Sequence, residues 1–169
     1  MNLYSMMRFD SFFNVWYWIA TTVIWVLVCW RTLGVPHSVV LAASRDDPAA
    51  VEEAGVVALQ TARRLEALRH GLGPILAALA GFGLAVLAVL GFGLGVEPAL
   101  AAFMLLFPLA LVAAATLGLA REVAGGELRG EALWSRLGRR RMWNQIIAIL
   151  SMLTASIAGI LHYAATLRM

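Results

Sequence analysis

Lysine is absent from this 169-residue chain, so all 13 of its basic residues are arginines. Charge of either sign is scarce, at 14% of residues, while 62% are hydrophobic. A water-soluble domain is about a quarter charged and about half apolar, so composition alone places the chain in the membrane class. Cysteine occurs once, at Cys29. That excludes an internal disulfide, a thiol-pair redox centre and a self-contained cysteine-ligated metal or iron–sulfur site. No stretch is both long and polar enough for a separate soluble domain. A secretory signal is not expected either: Arg8 is followed closely by Asp10, and the apolar run beyond is too long and too aromatic for one. The net charge of +3 does not imply a nucleic-acid partner, because the arginines sit beside apolar runs. There they set topology and meet anionic lipid.

What is present is a series of uncharged runs, each long enough to cross a bilayer of about 30 Å. The first lies between Asp10 and Arg31, with Trp16, Tyr17 and Trp18 towards one end and Trp30 at the other. Aromatic residues favour the two membrane interfaces in this way. Gly34 and Pro36 stop that helix. In the connection that follows, Ser44 and Asp47 offer N-caps, Pro48 suits a first helical position, and Glu52 and Glu53 suit the positive helix end. Val51, Ala54, Ala58, Thr61, Leu65, Leu68 and Leu72 recur at spacings of three and four. This stripe predicts an amphipathic helix over 48–70, lying on the membrane surface or against a partner and ending at Gly71. Pro74 then opens the second span. Glu97–Pro98 forms a tight turn into the third, in which Pro108 should produce a kink. The 121–141 connection holds Gly125–Gly126, a possible short helix bearing Leu128, Leu133, Trp134 and Leu137, and the run Arg139–Arg140–Arg141.

The expected architecture is an all-α membrane protein of one polytopic domain over 1–169. It has four transmembrane helices, at about 11–31, 74–96, 98–120 and 142–166, with the cytoplasmic amphipathic helix between the first and second. The connections, about 32–73 and 121–141, are assigned by charge. Arg31, Arg45, Arg63, Arg64 and Arg69 border or lie in the first, and Arg121, Arg129, Arg136 and the Arg139–Arg141 run in the second. Only Arg8 and Arg168 remain for the opposite side. The positive-inside rule then puts both connections in the cytoplasm and both termini in the periplasm of a bacterial inner membrane.

The spans carry packing signals and little chemistry. Gly81 and Ala85, then Gly91 and Gly95, step by four in the second span; Ser151, Ala155 and Gly159 do so in the last. Such stripes let helix backbones approach closely. No ionisable residue falls securely inside a span, which argues against an autonomous proton-coupled carrier. Arg139, Arg140, Arg141 and Trp143, with Trp30 and Arg31, are candidates for anchoring to anionic lipid or to a partner. His37 and His70 flank the first connection and could approach each other as paired haem ligands, or act as interfacial caps. Cys29, beside Arg31, could be an activated or acylated thiol, or a small apolar filler. Neither a catalytic set, nor a metal site, nor a bound cofactor is expected from the residue pattern.

The segments MMRFDSFFNVWYW, CWRTLGVPH and RRRMWNQIIAILSML resemble small alphaproteobacterial four-helix inner-membrane proteins sometimes labelled as a component of the SufBCD complex. The resemblance implies a link to iron–sulfur assembly. Since Cys29 cannot hold a cluster by itself, the link would be as a membrane partner. The functional expectation is a non-enzymatic accessory or scaffold subunit of a larger inner-membrane assembly, respiratory or photosynthetic. Its partners would be an anionic bilayer and other membrane-protein subunits. Two alternatives stand beside it: a homo-oligomeric channel or small transporter, and a subunit associated with haem or quinone.

Overall fold

A computed structural model describes residues 14–43, 45, 48–128 and 130–166. The caps expected at Ser44 and Asp47, and the charges at Arg8, Asp10, Arg129 and Arg168, lie outside the described residues. Five helices carry nearly all of what is described: α1 (Val15–Trp30), α2 (His37–Ala43), α3 (Pro48–Ala88), α4 (Glu97–Ala124) and α5 (Glu131–Thr166). A two-stranded antiparallel ribbon, β1 (Arg31–Thr32) and β2 (Val35–Pro36), joins α1 to α2. Three helical stretches, within Pro48–Gly93, Glu97–Ala124 and Glu131–His162, are long and apolar enough to cross a membrane. The Val15–Trp30 helix is as apolar but shorter.

Two expected breaks are missing. The amphipathic segment 48–70 and the second span form one helix of 41 residues, running through Gly71 and Pro74, about 60 Å long. Proline in a helix removes one hydrogen bond and crowds the Cβ of the preceding residue. Here the preceding residue is Gly73, which has no Cβ. The orphaned acceptor is the carbonyl of His70, an exposed residue in a charged turn. The helix expected over 142–166 likewise begins earlier, at Glu131, and carries the arginine run on its own first turns, so Leu133, Trp134 and Leu137 of the possible short helix belong to α5, while Leu128 precedes it.

The amphipathic face covers the chain's own core. Ala54, Ala58 and Ala62 are fully buried and Ala50 nearly so. They cluster with Leu33, Val35, Leu119, Ala120, Leu133, Trp134 and Leu137. The expected stripe is correct at Ala54 and Ala58, but its far end, Leu68 and Leu72, is exposed. Alanine at every fourth position lets α2 and α4 pack close against α3, and each buried large side chain such as Leu137 adds about 1.5–3 kcal/mol. The two long connections thus fold together into a single module at one end of the bundle.

The ribbon seals that module. Its turn residues Leu33 and Gly34 both have positive φ, 53° and 78°, as a type I′ hairpin demands. Leucine tolerates this because its side chain is buried in the module core. A Cβ on Gly34 would sit 2.5 Å from Thr61 Oγ1, so the turn lies hard against α3. At the other end, α3 closes in a π-helical turn, Val89–Gly93. A Cβ on Gly91 would lie 2.8 Å from the Leu100 Cα, so the start of α4 passes directly over this glycine.

The helices of the apolar part meet through small clusters. Leu100, Ala101 and Ala155 pack with Tyr17 and Trp18; Trp25, Val112 and Ala148 pack with Cys29. Here α4 lies against both α1 and α5. Pro108 sits inside α4 without ending it.

Candidate functional site

The arginine-rich end of α5 is where unusual polar groups gather. Its helical phase separates the three consecutive arginines by about 100° each, so they enter different surroundings. Arg139 is exposed. Arg140 turns towards α4 and donates through Nη2 to the carbonyl of Val112 at 2.8 Å. Arg141 lies towards α1, close enough for its charge to act on Cys29. Among the described residues, Arg140 Nε, Arg141 Nε and Arg141 Nη1 are buried without a hydrogen-bond partner. One turn further on, Asn144 is 3% exposed and its Oδ1 is unpartnered in the same sense.

One turn before Arg140, Arg136 forms a fork on Glu122 of α4. Its Nη2 donates to Oε1 at 3.1 Å and its Nε to Oε2 at 3.3 Å. That pair neutralises one charge and ties the end of α4 to the start of α5. Among the described residues, Arg140 has no ion pair with a carboxylate. Burial holds its guanidinium below the ordinary arginine value, and the neighbouring charge of Arg136 pushes the same way. Between the two helices a cleft of about 170 Å³ is lined by Gly118, Leu119, Glu122, Arg136, Arg140 and Trp143.

The helical module has two further hollows on either side of Trp134. One, about 620 Å³, is lined by His37, Val40, Leu41, Glu131 and Ser135 among others. The other, about 450 Å³, has Leu59, Arg63, Val123 and Leu128 in its wall. His37 therefore belongs to a groove between α2 and α5. His70 belongs elsewhere: its Nε2 lies 3.1 Å from Glu66 Oε1 on the exposed side of α3, and Arg69 forms its own pair with Glu66 at 2.6 Å. Each histidine has its own neighbours among the described residues. Among the described residues, no group of three or more His, Cys, Asp or Glu side chains converges.

The packing residues divide in two. Ser151, Ala155 and Gly159 are all buried. Gly91 is buried beneath Leu100. Gly81 and Ala85 are exposed, and no atom comes within 4 Å of where a Gly81 Cβ would be. Gly95 is exposed too; with φ at 67° it serves the turn between α3 and α4. Of the interfacial residues, Trp30 and Trp143 are more than half exposed and Arg31 is exposed in β1. The Arg136–Glu122 fork and the cleft over Gly118 were not anticipated. The spacing of Arg136, Arg140 and Trp143 at four and three residues was the available signal.

No family model matches the chain, and no curated protein or solved structure is similar to it. The site therefore has to be read from its own geometry.

Proposed function

We propose that the chain is a non-catalytic scaffold subunit of a larger membrane assembly, docked through the apolar half of α3. The observation that carries this reading is the uneven use of two similar stripes. The Ser151–Ala155–Gly159 stripe is buried within the chain, whereas Gly81 and Ala85 face outward. Only 6% of the most apolar window of α3 is buried, against 22% for α4 and for α5. Small residues at helix spacing are what a neighbouring helix needs to approach in lipid, where the hydrophobic effect gives no preference for protein over acyl chain. Phe82 beside them is 71% exposed and would wedge against that neighbour.

In the same reading α1, α3, α4 and α5 make four crossings of a bacterial inner membrane, and the helical module projects into the cytoplasm. The support is charge: Arg31, Arg63, Arg64, Arg69, Arg121, Arg136 and Arg139 to Arg141 belong to the module end or adjoin it, and positive residues are retained on the cytoplasmic side. The scaffold role is tested by mild extraction followed by native electrophoresis of wild type and of a Gly81→Leu/Ala85→Leu variant. Wild type should migrate as a complex with other subunits, and the variant should lose them while remaining folded. Migration of wild type as a lone 18 kDa chain in its detergent micelle sinks the reading. A complex made only of this chain replaces it with a homo-oligomer.

A further inference from the structure

The cleft between α4 and α5 holds two guanidinium groups against one carboxylate, and the two partners of the ion pair are already committed to each other. Arg136 is spent on Glu122. Arg140 is fixed by one bond to the Val112 carbonyl, so its guanidinium is held in place, yet its buried Nε has no acceptor among the described residues. A fixed, partly desolvated cation lining a cavity of about 170 Å³, with no ion pair of its own among the described residues, favours an occupant with one negative charge and several acceptor oxygens. A phosphodiester has both properties.

The surroundings favour a lipid over a dissolved anion. Trp143 lines the cleft and is 51% exposed; Leu111, one turn before Ala115 on α4, and Ile146, one turn after Trp143 on α5, are 50% and 37% exposed. Exposed apolar surface therefore continues beyond the cleft on both helices, where an acyl chain can lie. Tryptophan at such a boundary prefers the headgroup level. Gly118 supplies the room: no atom stands within 4 Å of the position its Cβ would take.

We propose that this cleft seats the phosphate of one anionic phospholipid, with Arg140 as its ligand and Gly118 as the floor. Within the arginine run, Arg140 is then specific and Arg139 acts only by diffuse attraction. This inference depends on the chain residing in a membrane and not on the scaffold role, so loss of partner subunits leaves it standing.

Native mass spectrometry of the detergent-purified full chain, titrated with phosphatidylglycerol or phosphatidylcholine, tests it. Wild type should retain one phosphatidylglycerol per chain in clear preference to phosphatidylcholine. Arg140→Gln should weaken that retention roughly fivefold, as expected for about 1 kcal/mol per headgroup cation. Arg139→Gln should keep the preference. Gly118→Leu keeps every charge and fills the floor, so it should abolish retention with the thermal midpoint preserved. Equal retention of the two lipids, equal losses in the two arginine variants, or undiminished binding in Gly118→Leu would overturn the proposal. Displacement of the lipid by an equal concentration of inorganic phosphate would assign the seat to a free anion and overturn the lipid as its occupant.

Discussion

The hydroxyl of Ser151 on α5 donates to the carbonyl of Met104 on α4 at 3.2 Å, and Met104 is the residue whose helical acceptor Pro108 leaves empty. Proline at position i cannot bond the carbonyl at i−4. In a bilayer no water replaces the missing donor, and an unsatisfied backbone group there costs several kcal/mol. A serine in the small-residue stripe of α5 therefore does two things: it lets the helices approach, and it repairs the ladder that Pro108 breaks. Tyr17 Oη makes a comparable contact from α1, donating to the Ala101 carbonyl at 3.2 Å. Helix α4 is the element to which the other two are bonded.

Ser151→Ala should destabilise the chain by about 1 kcal/mol in a detergent unfolding titration, between the average of about 0.6 and the maximum of about 1.7 kcal/mol for interhelical bonds. In the Pro108→Ala background the alanine amide can serve Met104, and the same serine change should cost much less. A double-mutant cycle checks this, and strictly additive effects would refute the coupling.

Gly91 and Gly81 look alike in sequence, but substitution should separate them. Gly91→Ala places a methyl group 2.8 Å from the Leu100 Cα and 2.9 Å from its nitrogen, contacts that backbone cannot relieve cheaply. A loss of about 1–3 kcal/mol is expected. Gly81→Ala meets nothing and should leave the stability of the isolated chain unchanged or slightly raised through helix propensity. Thermal melting of both variants decides the matter; equal midpoints would contradict the close approach of α3 and α4.

The Glu66 cluster should be sensitive to acid. The Arg69 hydrogen bond, helped by the charges of Arg69 and His70, holds the Glu66 carboxyl below the usual carboxylate range. A carboxyl with a depressed folded-state pKa stabilises above its unfolded value, about 4.3, and that contribution is lost as pH falls through the lower folded value. Amide exchange in residues 63–72 should therefore quicken, relative to intrinsic rates, only below about pH 4. Glu66→Gln should remove this pH dependence. Acid-induced loosening that persists in Glu66→Gln would refute this assignment.

Some of this was legible in the residues. Apolar runs bounded by Trp16, Trp30, Gly95 and Pro98 locate the helical segments, because length and hydropathy act locally. The stripe of Ser151, Ala155 and Gly159 was readable for the same reason: spacing by four fixes a common face. The continuity of α3 through Pro74 was not. Breaker residues report average costs, and here Gly73, with no Cβ to crowd the proline ring, lowers them. The ribbon at Leu33–Gly34 was also hidden, since a leucine at positive φ is disfavoured until a core is present to hold it.

The sequence by itself determined that the chain is helical and rich in segments fit for a membrane. It determined these through composition and period, which need no knowledge of what lies opposite. Only the tertiary structure decided which of two small-residue stripes is used internally, that Ala54, Ala58 and Ala62 cover the chain's own core, and that Arg140 alone among three adjacent arginines lines a cleft whose one carboxylate, Glu122, is already paired with Arg136. Those outcomes depend on helices distant in sequence arriving at one place, and burial of an alanine or isolation of a cation exists only once they have.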